Sequence, residues 1–407
     1  MSKTPELRFS NYHDSWQFFP LKDLVNTITT GKLDANAAIE NGKYKFFTCS
    51  KEDYKTNSFS FDGDAVIING NGDLGITKVF SGKFDAYQRT YVLMNFKENF
   101  KYIGNAIPVY LPEKIRTEAV GGAMPYIKID ALEELLIGMP SDLEQEDISN
   151  LIEKMNLLIE SKKTELNKIE IYKKTMLRKM FPVEDTFKPE IRFDGYKENW
   201  SSKQFGKAFV KVANNSFSRD LLNYNNGKAK NIHYGDILIK FDYYADINDK
   251  NVPYINPDVK ISNFKEKDYL KTGDVVFSDT AEDTTAGKMV EIKNENNIPV
   301  LSGLHTYACR PLIEFYKGYL GIYLNTPNFH DQLIKYMQGT KVTGYNYEYL
   351  CRLDVLYPSI DEQKEIVLFF NNIENIINNQ KKEILDIENI LCTLKEKLFV
   401  RGENDVQ

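Results

Sequence analysis

Two long stretches dominate the pattern of apolar and polar positions. Leu143 to Met180 and Asp361 to Val400 contain no glycine or proline, and their apolar residues recur at the three-and-four spacing of amphipathic helices. At 1.5 Å per residue they predict rods of roughly 57 and 60 Å. In heptad terms Ile152, Ile159, Leu166 and Met180 fall at position a, with Ile148, Met155, Ile169 and Met176 at d. The second stretch places Phe370, Ile377, Ile384, Leu391 and Leu398 at a, with Ile366, Ile373, Ile387 and Leu394 at d. Lys162, Lys173 and Gln380 interrupt these seams, and Lys162 and Gln380 occupy equivalent positions. A polar residue at one seam position commonly fixes register or orientation. Pro140-Ser141 and Pro358-Ser359 precede the rods as stop and cap, and acidic residues follow where the helix dipole favours them.

The chain repeats itself. Pro5-Glu6-Leu7-Arg8-Phe9 followed by Trp16 returns as Pro189-Glu190-Ile191-Arg192-Phe193 followed by Trp200, at an offset of 184, and these are the only two tryptophans. Pro140-Ser141, Glu144-Gln145 and Ile148 return as Pro358-Ser359, Glu362-Gln363 and Ile366 at an offset of 218, and that register holds to Lys179-Met180-Phe181 and Lys397-Leu398-Phe399. One unit is therefore written twice, a variable part (1–140, 183–357) followed by a constant helical part (141–182, 358–407), and the difference between the offsets 184 and 218 makes the second variable stretch 34 residues longer. Two matched rods most economically bury their seams on each other as an antiparallel pair. That arrangement puts the variable parts at opposite ends, as in a calliper.

The variable parts read as mixed α/β (α+β) domains with many short strands. Phe61 to Ile68 and Leu270 to Phe277 each pass from a polar Gly-Asp turn into a β-branched run, and Tyr234-Gly235-Asp236 leads ILIKF in the same style. Gly70-Asn71-Gly72-Asp73-Leu74-Gly75 matches GxGxxG, but the following Ile76-Thr77-Lys78-Val79-Phe80 is a strand pattern. A phosphate-binding loop needs a helix there, so a glycine-rich hairpin is the better reading.

Composition narrows the function. The 407 residues are 42% hydrophobic and 13% aromatic, as in a folding chain, with room for two to four domains. No apolar run reaches the length of a membrane span and MSKTPELRFS lacks the apolar core of a signal peptide, so the expectation is a soluble, intracellular, cytoplasmic protein without a membrane partner. Cys49, Cys309, Cys351 and Cys392 are far apart, which predicts reduced thiols and neither disulfides nor a metal site. There is no GxxxxGK[ST], GxSxG or HExxH, no two prolines are adjacent, and His13, His233, His305 and His330 are scattered, so no catalytic residue and no bound cofactor is expected. The net charge is −6, and no segment is strongly basic: residues 1–142 carry 16 basic and 18 acidic side chains, 183–358 carry 22 and 23. Tight binding of nucleic acid by bulk electrostatics alone is excluded, whereas reading by local contacts is not.

The PELRF…W openings, the P-S-x-x-E-Q-x-x-I helix entries, the K-x-[ML]-F helix ends and the segments FDAYQRTYVL and VLSGLHTYACRP together resemble the specificity subunit of type I restriction-modification systems, over essentially the whole chain. The resemblance implies a non-catalytic reader. Two target-recognition domains each bind half of a split, asymmetric double-stranded DNA site, while the constant helices form an antiparallel coiled coil that sets the spacer and docks two methyltransferase subunits. Those partners hold S-adenosylmethionine and modify adenine after flipping it out; a translocating restriction subunit joins for cleavage. Partners that close around the duplex are then expected to supply much of the non-specific affinity.

Reading bases requires side chains that reach the major-groove edges. In the first domain the loop from Asn69 through Asn71 to Asp73 and the run Tyr87-Gln88-Arg89-Thr90 carry the right groups, with Lys51 and Lys83 suited to phosphate. In the second, Lys240 with Tyr243-Tyr244, Thr284-Thr285, Ser302, His305 and the loop from Lys341 to Tyr345 are comparable. The rival readings are a self-contained DNA methyltransferase or nuclease, which would bind S-adenosylmethionine or act without a partner, and a coiled-coil interaction protein unrelated to DNA.

Overall fold

The computed structural model describes residues 4–183, 186–339 and 342–400. The chain divides into two compact units, one made of residues up to Thr164 together with those from Lys381 onward, the other of Glu165–Gln380. Each unit therefore holds one variable part and one half of each long helix. The first long helix is Asp142–Lys179 and the second Ile360–Leu398, within two residues of the limits expected from the pattern.

In unit 1 the strands are β1 (Gln17–Pro20), β2 (Val25–Thr30), β3 (Tyr44–Phe47), β4 (Tyr54–Thr56), β5 (Phe61–Asn69), β6 (Thr77–Ala86), β7 (Thr90–Phe96) and β8 (Leu136–Met139). Six of them form a sheet in the order β2-β7-β5-β6-β3-β4, and β1 pairs with β8. The helix Phe100–Glu118 lies on this sheet, capped by the Asn99 carboxamide, which accepts from the Lys101 and Tyr102 amides. Gly104 permits the close approach, since a Cβ there would stand 2.3 Å from Val79 Cγ2. The covered stretch of β5, Ala65 to Asn69, is buried throughout, whereas Phe61 to Asp64 alternates as a strand with one wet face does. GxGxxG is the hairpin between β5 and the antiparallel β6.

Unit 2 has β9 (Ser201–Gln204), β10 (Phe209–Val212), β11 (Leu222–Asn223), β12 (Lys230–Ile232), β13 (Tyr244–Asp246), β14 (Tyr254–Ile255), β15 (Val275–Ser278), β16 (Thr280–Ala281), β17 (Met289–Lys293), β18 (Val300–Ser302), β19 (Thr306–Pro311), β20 (Thr343–Gly344) and β21 (Asp354–Tyr357). They form sheets ordered β10-β19-β15-β17-β13 and β11-β14-β12-β18, with pairs β16-β20 and β21-β9. The expected strand after Tyr234 is instead the short helix Tyr234–Ile239. Capping overrides the β-branched composition: the His233 ring accepts from the Gly235 amide, and the buried Asp236 carboxylate is anchored by Arg219 and Lys240.

The repeated motifs of the sequence meet in space, once per unit. In unit 1 Arg8 forms a two-pronged ion pair with Glu144 at 2.8 and 2.8 Å, and the Leu7 amide donates to the Lys397 carbonyl at 2.9 Å. In unit 2 Arg192 grips Glu362 at 2.8 and 2.8 Å, and the Ile191 amide donates to the Lys179 carbonyl at 2.9 Å. Gln145 and Gln363 each donate from Nε2 to the proline carbonyl five residues earlier, Pro140 and Pro358. Tyr12 donates to Asp147 and Tyr196 to Glu365. Trp16 stacks edge-on against Tyr102 and Phe399, and Trp200 packs against Phe181 and Tyr319.

Within each unit the two half-helices run antiparallel. In unit 1 Lys162 pairs with Glu383, while Asn156 and Ile159 border a groove with Leu391 and Lys395. In unit 2 Lys173 pairs with Glu374, and Phe181 lies 5.9 Å from Phe370. Of the expected seam, Ile152, Ile159, Phe370, Ile373, Ile377 and Ile384 are buried, and Met155, Leu166, Ile169 and Ile387 are half-buried. The polar seam residues differ in fate. Lys173 is answered by Glu374, Asp242 and the Tyr243 ring; burial lowers its pKa, but these neighbours outweigh it and hold the ammonium above the ordinary lysine value. Gln380 keeps a buried Oε1 without a partner among the described residues.

Candidate nucleic-acid interface

In unit 1 four loops converge beyond the end of β5. The Gly70 amide donates to the Arg89 carbonyl at 3.0 Å, the Asp73 amide to the Cys49 carbonyl at 3.1 Å, and the Ile127 amide to the Gly70 carbonyl at 3.2 Å. Glycine is required at two of these points: a Cβ on Gly70 would stand 2.4 Å from the Arg89 oxygen, and Gly72, at φ 61°, has the Cys49 oxygen 2.6 Å from where its Cβ would be. The motif thus serves loop packing. Lys51, Gln88 and Arg89 are exposed on this rim and Tyr87 is half-buried.

Two candidates turn inward instead. Asn69 is buried and its carboxamide donates to the Ser50 carbonyl, and the buried Asn71 carboxamide faces the Met124 sulfur at 3.8 Å. They hold neighbouring loops in place, because a buried amide must find partners within the protein. Lys83 sits in mid-strand opposite Asp62, its ammonium 4.5 Å over the Phe59 ring. The exposed loop 120–125, with Met124, also reaches this rim; its composition carried no signal for that.

Unit 2 builds a comparable rim beyond β15. The Asp279 amide donates to the His305 carbonyl at 3.1 Å, the Tyr345 amide to the Asp279 carbonyl at 3.3 Å, and the Asn214 carboxamide to the Thr306 carbonyl at 3.1 Å. His305 is half-exposed, holds φ at 54°, and has Nδ1 3.3 Å from an Asp279 carboxylate oxygen. Burial raises the Asp279 carboxyl above its ordinary value despite this neighbour. Tyr234 meets the His305 ring edge-on at 5.4 Å. Close by in the fold, Arg219 and Lys240 share Asp236. Burial pushes Asp236 up, but the two cations more than offset it and keep the carboxyl below its usual value. Both cations remain partly exposed. Thr284 and Thr285 are exposed, with the Thr285 hydroxyl and amide donating to Asp283.

Four candidates of unit 2 are corrected. Ser302 is fully buried and shares a hydrogen bond with the Thr306 hydroxyl. Tyr345 is buried, donating to the Ser278 carbonyl. Tyr243 packs beneath the Lys173 ammonium, and Tyr244 donates to the Gly318 carbonyl and faces Asn371 of the second long helix. Aromatic and hydroxyl side chains suit a core as well as a groove, and here tertiary packing took them. Lys341 lies outside the described residues. Asp279, Tyr234 and Arg219 were not among the site candidates of the sequence, because only the folded chain brings them to His305 and Lys240.

Among the described residues no group of three or more His, Cys, Asp or Glu side chains is placed to hold a metal ion, and no helix is long and apolar enough to cross a membrane. What recurs is a duplicated frame carrying two different loop rims. The profile of the type I restriction modification DNA specificity domain matches residues 13–171. The type I restriction enzyme EcoDI specificity subunit of Escherichia coli is 28% identical over 96% of this chain and 89% of its own. Among solved structures, the type I restriction-modification S subunit from M. genitalium covers 98% of this chain and 100% of its own at a TM-score of 0.55 and 16% identity. A chain from work on complex assembly and conformational transition of the type I R-M system covers 94% and 96% at 0.57 and 14%. Over almost its whole length the chain is similar to specificity subunits of type I restriction-modification systems. Specificity subunits of that kind recognise DNA sequence, and the methyl transfer resides in a separate subunit.

Proposed function

We propose that the two variable parts, 1–140 and 183–357, each read one half of a bipartite, asymmetric DNA site, and that the helical parts, 141–182 and 358–407, set the spacer between the halves and dock two methyltransferase subunits. The observation that carries this reading is the junction built twice from the same residues, Arg8–Glu144 and Arg192–Glu362, beneath loop rims that differ. One frame with two rims suits two unlike half-sites handled by identical partners. S-adenosylmethionine belongs on those partners, a restriction subunit with translocase activity joins for cleavage, and the complex works in the cytoplasm. Genome-wide mapping of methylated adenine with and without this chain is expected to show one bipartite motif that depends on it. Exchanging residues 1–140 for those of a relative changes one half of that motif only; a change in both halves, or none, refutes one domain per half.

The docking surface for identical partners should itself be repeated. Leu158 and Ile376 are exposed and lie at the 218 offset, and so do Tyr172 and Ile390. Each unit thus carries one member of each pair, and exposed apolar side chains at matched positions mark a face meant for a protein. Ile376→Asp is expected to weaken co-purification of the methyltransferase subunit by about tenfold, since a buried unpaired carboxylate costs more than 1.4 kcal/mol, and to leave thermal unfolding of the chain unchanged. Undiminished co-purification would exclude this face.

A further inference from the structure

The two rims share a backbone arrangement that neither sequence offset reveals. In unit 1 β5 ends at Asn69 opposite Thr90, the first residue of β7; in unit 2 β15 ends at Ser278 opposite Thr306, the first residue of β19. One step past each strand end, the Gly70 amide donates to the Arg89 carbonyl at 3.0 Å and the Asp279 amide donates to the His305 carbonyl at 3.1 Å. Thr90 and Thr306, which follow Arg89 and His305, are fully buried. Arg89 and His305 are therefore the same position in the two domains.

That position is a pedestal. Its backbone is pinned from several sides: the Arg89 carbonyl also accepts from the Cys49 thiol at 3.2 Å, the Thr90 amide donates to the Tyr87 carbonyl at 2.8 Å, and the Thr306 hydroxyl donates to the Gly303 carbonyl at 2.5 Å. His305 is held with φ at 54°, a left-handed conformation that a histidine keeps only where its surroundings impose it. The side chains on these pedestals are left available. Opposite Arg89 stands Gly70, which has no side chain, and the Arg89 guanidinium makes no hydrogen bond or ion pair among the described residues. Opposite His305 stands Asp279, whose carboxylate meets Nδ1 and leaves Nε2 without a partner among the described residues. Nearby cations are already committed, Arg219 and Lys240 to Asp236.

We propose that Arg89 and His305 are the paired base-reading residues of this chain, one per domain at equivalent positions, with Arg89 contacting a guanine through two parallel hydrogen bonds and His305 contacting a base edge through Nε2 while Asp279 fixes its ring. A guanidinium fork matches the O6 and N7 acceptors of guanine, and an imidazole offers a single contact. The proposal rests on the reading that each domain binds one half-site.

The full chain, expressed with its methyltransferase subunit, is tested by mapping methylated adenine for Arg89→Ala, Arg89→Lys and His305→Gly, glycine being chosen to keep the left-handed backbone. Arg89→Ala is expected to lower the preference at one base pair, in the half-site read by residues 1–140, by roughly ten- to a hundredfold, with the other half unchanged and thermal unfolding unaltered. Arg89→Lys retains part of that preference, and His305→Gly relaxes one position in the opposite half. An unchanged motif in both Arg89→Ala and His305→Gly overturns the proposal, and so does a uniform loss of methylation with no change of motif, which marks a phosphate contact. If exchange of residues 1–140 alters one half while these variants do not, only the residue assignment fails; if that exchange alters neither half, the domain reading fails with it.

Discussion

Glu362→Ala is expected to destabilise unit 2 by about 3 kcal/mol. The Glu362 side chain is 2% exposed and that of Arg192 14%, and both guanidinium contacts are 2.8 Å. Two parallel charge-assisted hydrogen bonds are strong, but most of the cost of the variant comes from stranding a largely desolvated guanidinium at the helix entry. Arg192 also donates to the Glu198 carbonyl at 2.7 Å, so it ties three segments together: the opening motif, the loop before Trp200 and the long helix. Glu144→Ala is expected to do the same to unit 1 through Arg8. Removing both partners, as in Arg192→Met with Glu362→Leu, recovers much of the loss, because no unpaired charge then remains. Urea unfolding of the two singles and the double measures the coupling; a coupling below about 1 kcal/mol would put the clamp among ordinary surface pairs. Such a surface pair is Lys163–Glu388, with both partners more than 40% exposed.

Trp16→Ala is expected to cost about 3 to 5 kcal/mol, and Trp16→Phe considerably less. Trp16 is 1% exposed and Trp200 3%, and the indole nitrogens of both are buried without a hydrogen-bond partner among the described residues. Their contribution is therefore area and shape, not a polar contact. Tyr102 and Phe399 stand edge-on or tilted around Trp16, and Tyr102 donates to the Gly138 carbonyl at 2.6 Å. The second copy repeats the arrangement, with Phe181 against Trp200 and Tyr319 donating to the Leu356 carbonyl at 3.0 Å. In a unit of this size the alanine variant should lower the melting temperature by on the order of 10 °C. Equal losses for alanine and phenylalanine would point to the indole nitrogen instead.

The long helices and the duplication were legible because both are recorded in local terms. A run without glycine or proline and with apolar residues at heptad spacing has few alternatives to a helix, and a constant offset of 218 over some forty residues survives any difference between the variable parts. The short strands were legible where a Gly-Asp turn meets a β-branched run, as at Phe61, and misread at Tyr234, where a capping histidine and an anchored Asp236 made a helix of ILIKF. The reading rims were half legible. Lys51, Gln88, Arg89, Thr284, Thr285 and His305 stand at the surface, whereas Asn69, Asn71, Tyr243, Ser302 and Tyr345 are buried. Asparagine, serine and tyrosine serve equally as loop ligands and as internal hydrogen-bond partners, and their composition does not distinguish the two.

By itself the sequence determined that this protein is one domain-and-helix unit written twice, because periodicity and repetition are properties of the chain taken in order. Tertiary structure alone decided that each opening arginine closes on the glutamate of a helix entry more than a hundred residues away, and that Arg89 and His305 stand on one and the same corner of two domains. The reason is that burial and pairing depend on which distant segments are packed together, and a strand end gains its neighbour only when the sheet is formed.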